Sequence, residues 1–340
     1  MHIFVTRLIP EAGLALLRER AEVEIGQVVE DRGCDRGVLL AGAARADVLV
    51  SLLTDAVDRE VLEAGTRLAG VATFAVGFDN VDVKAATALG LPVSNTPGVL
   101  TDTTADLTWA LLLGAARRVV EGHRYMTESR YRIWGPNLLL GEDVSPGGSG
   151  TPKTLGILGY GRIGQAVHRR ATGFEMRVLA HDPYERARIE ATPGVEYAEL
   201  DRLLAESDFV TIHTVLSPET RHRIGERELA LMKPTAVLVN AARGPIVDEA
   251  ALVRALRERR IAAAGLDVYE DEPRLAEGLA GLDNVVLLPH LGSASRETRD
   301  RMAVLAAEGA LAHAAGERAR HCVNPEVYET EAWRRRRGGP

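Results

Sequence analysis

The hexapeptide Gly159-Tyr160-Gly161-Arg162-Ile163-Gly164 constrains this chain more than any other feature. It follows the apolar run Thr154–Leu158 directly and opens a helical pattern that extends to about Gly173. A second apolar run, Arg177–His181, comes next and ends at Asp182, 18 residues past Gly164. Strand, glycine turn, helix, strand and acid in this order make a βαβ unit with a dinucleotide fingerprint. Gly159 permits a tight turn. Gly161 has no Cβ to keep a pyrophosphate off the backbone, and Gly164 lets helix and strand pack closely. The helix N-terminus then offers free N–H groups and the positive end of a dipole to the phosphates. Asp182 can accept hydrogen bonds from both ribose hydroxyls and repels a 2′-phosphate. NAD(H) is therefore favoured over NADP(H), with the nearby Arg186 weighing the other way.

The same alternation runs through the rest of the chain. His2–Thr6, Asp47–Ser51, Leu68–Thr73 and Pro92–Asn95 read as strands; Glu11–Arg20, Asp58–Ala64 and Val81–Leu89 read as helices. A long helix starts near Asp102 or Thr103, either of which can cap it, and continues towards Arg130. Its sequence is small or apolar nearly all round, which predicts burial. An aperiodic loop, Ser145 to Pro152, precedes the glycine turn, after which the pattern restarts. Strands are expected at Asp208–Thr211, Ala236–Val239, Ile261–Leu266 and Val285–Leu288, and a last helix from Arg296 to about Ala315. Repeated β-α units favour parallel sheets covered by helices, and 340 residues suit about two domains. The tail Arg334–Arg337, with Gly338, Gly339 and Pro340, reads as a solvated charge run.

Composition excludes other classes. The chain is 46% hydrophobic and 26% charged, which does not suit a disordered chain. No apolar run approaches the roughly 18–20 residues of a membrane span, and Met1 to Pro10 lack a leader's basic start. A net charge of −7 gives no footprint for nucleic acid. Cys34 and Cys322 stand alone, so neither a disulfide framework nor a cysteine zinc site is expected. No metal-ligand motif and no Gly-x-Ser-x-Gly nucleophile elbow occurs.

Five further stretches carry a family resemblance: Ala75-Val76-Gly77-Phe78-Asp79-Asn80-Val81-Asp82, Asn95-Thr96-Pro97-Gly98-Val99-Leu100-Thr101-Asp102, Asn240-Ala241-Ala242-Arg243-Gly244, Ala264-Gly265-Leu266-Asp267-Val268-Tyr269-Glu270-Asp271-Glu272-Pro273 and Leu288-Pro289-His290-Leu291-Gly292-Ser293-Ala294. With the glycine loop, they resemble the D-isomer-specific 2-hydroxyacid dehydrogenases, most of all the glyoxylate/hydroxypyruvate reductase branch. The likeness runs from about residue 45 to 315. It implies two doubly wound parallel-sheet domains: a flavodoxin-like substrate domain of residues 1–100 and 290–340, and a Rossmann NAD domain of residues 101–289 between them. The active site is then expected in the cleft between domains. The family is usually dimeric through its NAD domains, and a cytoplasmic homodimer is expected here.

The resemblance also implies roles. His290 is the general acid in reduction of a 2-keto acid and the general base in oxidation of the 2-hydroxy acid, a task suited to imidazole. Glu272 would hydrogen-bond the other ring nitrogen and stabilise the imidazolium; Glu270 and Asp271 are its near competitors in sequence. Arg243 would grip the substrate's carboxylate and carbonyl with its planar, permanently charged fork. Backbone N–H groups around Val76 and Gly77 would take the other carboxylate oxygen, with Leu53 and Phe78 shaping the pocket. Cofactor contacts carry over to Thr104, Gly159, Gly161, Arg162, Ile163, Gly164, Asp182, Thr214, Thr220, Ala241, Asp267 and Ser293. Two readings stand for His213, beside the cofactor or a satisfied structural histidine. Two also stand for Trp134: reaching the partner's active site, or packing at the interface. Phosphite dehydrogenase shares fold and motifs but is associated with a Lys where this chain has Val76. Phosphoglycerate dehydrogenases and NAD(H)-sensing corepressors share the fold as well.

Overall fold

A computed structural model describes residues 1–336. The chain folds as two compact units, Met1–Leu100 together with the segment from Ala294 on, and Thr101–Ser293. The first contains β1 (His2–Val5), β2 (Glu22–Ile25), β3 (Val48–Ser51), β4 (Gly70–Thr73) and β5 (Val93–Ser94), in the order β2-β1-β3-β4-β5. Every pairing is parallel, and the order is the flavodoxin-like one. The second contains β6 (Thr154–Leu158), β7 (Arg177–His181), β8 (Val195–Tyr197), β9 (Phe209–Ile212), β10 (Val237–Asn240), β11 (Ala263–Leu266) and β12 (Val285–Leu287). Their order is β12-β11-β10-β9-β6-β7-β8, again wholly parallel.

Central strands here are apolar on both faces because helices cover both faces. All four residues of β3, β4, β9, β10 and β11 are buried. The helix Glu11–Arg18 buries Gly13, Leu14 and Leu17; each fully buried leucine contributes about 1.5–3 kcal/mol. It packs on the helix Arg296–Ala315, where Gly13 lies so close to Ala303 that a Cβ on it would come within 2.5 Å of the Ala303 carbonyl. Ser295 caps that helix, and Gly316 ends it in left-handed backbone.

Three expectations need correction. The long helix is two: Thr101–Ala116, then Val119–Thr127, parted at Arg118 with φ 53°. The break is fixed from outside, since Glu142 N–H donates to Ala116 O and the Arg118 guanidinium bonds Leu140 O and Glu121. Only the first helix is buried. The basic tail is not simply solvated, because Glu331–Arg336 is a helix whose Arg336 donates to the carbonyls of Leu89 and Leu68. Arg337 to Pro340 lie outside the described residues. Finally, β2, β8 and the helix Arg36–Arg45 were not expected. They are short, and half-exposed or amphipathic only weakly, so no periodicity announces them.

One core group ties this packing to pH. His313, 1% exposed in the last turn of the long C-terminal helix, pairs its Nε2 with Ser94 Oγ at 3.0 Å. Burial pushes its pKa down to about 4. The unfolded chain takes up this proton near pH 6.5, the folded chain only near 4, so stability falls as pH drops across that window. The full contribution is about 3 kcal/mol. His313→Gln is expected to flatten the loss of Tm between pH 6.5 and 4; melting curves with the same loss as wild type would place the titration elsewhere.

Candidate active site

In the second unit, the glycine loop, Asp182, Thr214, Ala241, Arg243, Asp267, Glu272 and His290 all lie in segments that follow the carboxyl ends of strands. β6 lies between β7 and β9, and the order reverses there, making a topological switch point. The glycine loop leaves β6 at this point. Gly159 has φ 94°, and a Cβ on it would come within 2.5 Å of Thr214 N and 2.8 Å of His213 O. Only glycine fits between the ends of β6 and β9. Gly164 presses on the same turn, where a Cβ would meet Gly159 O at 2.2 Å. Gly161 differs: its missing Cβ faces open space, and no side chain caps the helix Arg162–Ala171 that it opens. Arg162 and Ile163 form the first turn, Arg162 exposed and Ile163 half-buried.

Asp182 follows β7. Its Oδ2 accepts from Tyr160 N–H at 2.9 Å and its Oδ1 from Tyr184 N–H at 3.1 Å, which fixes the carboxylate beside the glycine loop. The buried Tyr160 is itself held by its hydroxyl, 2.7 Å from His168 Nδ1. An open glycine backbone, an uncapped helix N-terminus and an oriented acid fit a dinucleotide. Thr220 closes the loop after β9, donating to Val215 O and accepting from Ser217 N–H, each at 2.7 Å; Thr214 starts that loop. Both ring nitrogens of His213 are buried with no hydrogen-bond partner among the described residues. Burial drives its pKa down to about 3, so the ring is neutral.

The second group of residues follows β10, β11 and β12. His290 Nδ1 lies 3.0 Å from Glu272 Oε2. A carboxylate only accepts, so Nδ1 carries the hydrogen and Nε2 is left for other chemistry. Glu272 Oε1 takes Tyr269 N–H at 3.1 Å. Burial pushes the Glu272 carboxyl up. The hydrogen bond and charge of His290, the Tyr269 amide and Arg243 outweigh it and hold the group below its ordinary value. Glu270 and Asp271 do not compete for the histidine: Glu270 binds Arg221 and His222, and Asp271 pairs with Arg274.

His290 has φ 56°, left-handed for a residue with a Cβ. Asp267, at the end of β11, holds it there. Its carbonyl accepts His290 N–H at 2.9 Å. Its carboxylate, 1% exposed, accepts Leu291 N–H at 2.6 Å and Gly292 N–H at 2.8 Å. Burial raises the Asp267 carboxyl above its ordinary value. Thr104 Oγ1 donates to Gly292 O at 3.1 Å, which ties the helix Thr101–Ala116 to this turn and its neighbour Ser293.

Arg243 leaves β10 through Ala241 and Ala242. Asn240 shapes that exit, accepting Ala242 N–H at 3.1 Å and donating to Arg243 O at 2.9 Å. Gly244 then touches the next loop so closely that a Cβ would lie 1.8 Å from Tyr269 C. The Arg243 and Glu272 loops are therefore in direct backbone contact.

In the first unit, Leu53 follows β3, and Val76 and Gly77 follow β4. Asp55, 4% exposed, accepts from Thr6 Oγ1 at 2.5 Å and Leu52 N–H at 2.7 Å. Asn80 donates to Leu52 O at 3.0 Å and Asp55 O at 2.8 Å, joining the two loops. Asn95 donates to Val76 O at 2.8 Å. Asp55, Asn80, Asn240 and Glu249 received no role from the sequence. An Asp four residues past a strand is a turn signal that could have marked Asp55.

Among the described residues, no helix is long and apolar enough to cross a membrane, and no His, Cys, Asp or Glu cluster could hold a metal ion. The profile of the D-isomer specific 2-hydroxyacid dehydrogenase NAD binding domain matches residues 109–292. The glyoxylate reductase of Korarchaeum cryptofilum is 50% identical over 329 residues, 96% of this chain and 97% of that one. A Thermus thermophilus crystal structure superposes with TM-score 0.86 at 43% identity, covering 95% of this chain and all of the other. The NADPH-dependent glyoxylate/hydroxypyruvate reductase of Sinorhizobium meliloti, solved with NADP and malonate, gives TM-score 0.80 at 31% identity, covering 95% and 97%. The chain belongs to the D-isomer specific 2-hydroxyacid dehydrogenase family, in its glyoxylate reductase branch, and is an NAD-binding oxidoreductase.

Proposed function

We propose that this enzyme uses NADH to reduce small 2-keto acids, glyoxylate or hydroxypyruvate first among them, to D-2-hydroxy acids. The observation that carries the reading is the His290–Glu272 pair, 3.0 Å apart on the sheet edge that also holds the glycine loop. When bound, the nicotinamide supplies the hydride. The protein's part is to hold the substrate and deliver a proton. Arg243 binds the keto acid's carboxylate and polarises its carbonyl oxygen. His290 donates a proton from Nε2 to the oxygen that gains negative charge, while Glu272 keeps Nδ1–H in place and stabilises the imidazolium. In oxidation the same nitrogen takes the proton back. Val76 and Gly77 amides are assigned the remaining carboxylate oxygen, and Leu53 the side-chain wall.

Gly159, Gly161 and Gly164, with the Arg162 and Ile163 amides, are assigned the pyrophosphate. Asp182 is assigned the adenosine ribose. Thr104, Thr214, Thr220, Ala241, Asp267 and Ser293 complete the cofactor's surroundings. On this reading residues 101–289 bind the dinucleotide, and residues 1–100 and 290–340 serve the substrate. Asp182 favours NADH, although the Sinorhizobium relative is named for NADPH. We further assign a homodimer through the NAD-binding unit. Ile133 and Trp134 are 81% and 72% exposed, and Val119, Met126 and Leu140 in the same segment are exposed too, apolar side chains suited to cover by a second copy of this chain. Cys34 and Cys322 are unpaired, which suits a reducing compartment, and we assign the cytoplasm.

NADH absorbance with glyoxylate, hydroxypyruvate and pyruvate, and NAD⁺ with phosphite, tests the reading. Turnover is expected with the keto acids; none with any of them would overturn it. His290→Ala is expected to cut turnover by about 10²–10⁴ with NADH binding intact. Equal loss of NADH affinity would remove His290 from proton transfer. Asp182→Ala is expected to raise kcat/KM with NADPH relative to NADH; unchanged selectivity would assign the preference to another residue.

A further inference from the structure

Glu249 is a carboxylate in an unusual place. It opens the helix Glu249–Arg257 yet is only 4% exposed. The helix does not need it as a cap, because Asp248 Oδ1 already accepts Ala251 N–H at 2.9 Å. Instead Glu249 Oε1 accepts the backbone N–H of Glu270 at 2.6 Å, and the Ala276 amide bears on the same carboxylate. These amides lie on either side of Glu272 in the chain. Gly244 packs against the same stretch, touching the Tyr269 carbonyl and Glu270 N. The Glu249 bond is thus made by the residue next to Tyr269, whose N–H holds Glu272 Oε1.

Keeping this carboxylate inside is costly. Burial raises its pKa, two amides oppose the rise, and the charges of Glu270 and Asp271 add to it. A buried acid with two more acids nearby gains little stability from its charge, and a well-packed apolar residue often serves that end as well or better. What a carboxylate offers is two acceptor oxygens with charge-assisted bonds to main-chain donors. Such bonds locate a loop whatever its side chains.

We infer that Glu249 is a positioning residue: through the main-chain amides around it, its carboxylate fixes the 270–276 loop so that Glu272 stays within hydrogen-bond reach of His290. The inference rests on the reading of His290 and Glu272 as the proton-transfer pair. It extends that machinery to a residue that touches neither substrate nor cofactor. Arg221 and His222 hold the Glu270 side chain from the other side, so Glu249 acts on the backbone and they act on the surface.

A double-mutant cycle with glyoxylate and NADH tests it. Glu249→Ala is expected to lower kcat about 10- to 100-fold, with KM for NADH nearly unchanged. In a Glu272→Gln background the same change is expected to cost less than about threefold, because the group it positions is already disabled. Glu249→Gln, which keeps an acceptor oxygen, is expected to restore most of the loss. Hydrogen exchange of residues 269–276 in the protein without dinucleotide or substrate is expected to quicken in the alanine variant and stay near wild type in the glutamine variant. Equal losses in both backgrounds, or unchanged exchange in Glu249→Ala, would overturn the inference. If the alanine variant does not fold, Glu249→Asp keeps the charge but withdraws the oxygens, and the same non-additivity decides. A wild-type protein that reduces no 2-keto acid defeats the functional reading instead; the exchange measurement then still decides whether Glu249 holds the loop.

Discussion

The bond set around Asp267 is the constraint on which the rest of the candidate site depends. A histidine in left-handed backbone is disfavoured, and left alone the chain would relax. Asp267 prevents this with three main-chain contacts, its carbonyl to His290 N–H and its carboxylate to Leu291 and Gly292 N–H. Because Asp267 directly follows β11, the anchor of the His290 turn is the sheet itself. The imidazole therefore inherits the rigidity of a parallel strand whose four residues are all buried. Loop chemistry held by a buried strand end is what gives a site its precision.

The neighbouring loops are joined to that anchor by backbone, not by side chains. Gly244 lies against Tyr269, Asn240 clasps both ends of the Arg243 turn, and Asp267 N–H returns to Asn240 O. Tyr269 closes the set, its buried hydroxyl donating to Leu288 O at 2.8 Å. Arg243, Glu272 and His290 come from three different strand ends, and these contacts make one body of them. The glycine loop, two strands further along the same edge, is welded to β9 in the same manner by Gly159. A single sheet edge thus carries both the glycine loop and the His290–Glu272 pair to which proton transfer is assigned.

Much of this was legible in the chain. The strand Arg177–His181 and the helix Arg296–Ala315 stand where their patterns put them, since both are continuous runs of one periodicity; in the structure Ser295 caps the helix and Gly316 ends it. The Glu272–His290 bond was expected from the order of motifs, and Glu272 rather than Glu270 or Asp271 faces the ring. What escaped reading has a common physical cause. The break at Arg118 is imposed by Glu142 and Leu140, more than twenty residues away, and nothing local to Arg117-Arg118 reports it. The docking of Arg336 on Leu68 and Leu89 is likewise a long-range event that a run of arginines does not announce. Asn80 and Glu249 bond backbone, and a residue that bonds backbone leaves no partner residue in the sequence to be matched with it; Asp55 bonds one backbone amide and Thr6, 49 residues away.

Two carboxylates near His290 show how one site keeps its acids apart. Asp267 and Glu272 are close enough that the Glu272 charge helps to raise the Asp267 carboxyl. Their surroundings settle the conflict differently. Asp267 is the more deeply buried, and burial lifts its carboxyl while its oxygens are spent on two amides. Glu272 has one oxygen on an amide and one on the imidazole, with Arg243 adding favourable charge, and is held low. On the proposed reading, the acid held low is the one beside the ring that takes up the proton, which is where negative charge is useful. The acid pushed up is the one whose work is done by geometry. Division of labour between the two follows from their partners: two main-chain amides for Asp267, and one amide, one imidazole and the Arg243 charge for Glu272.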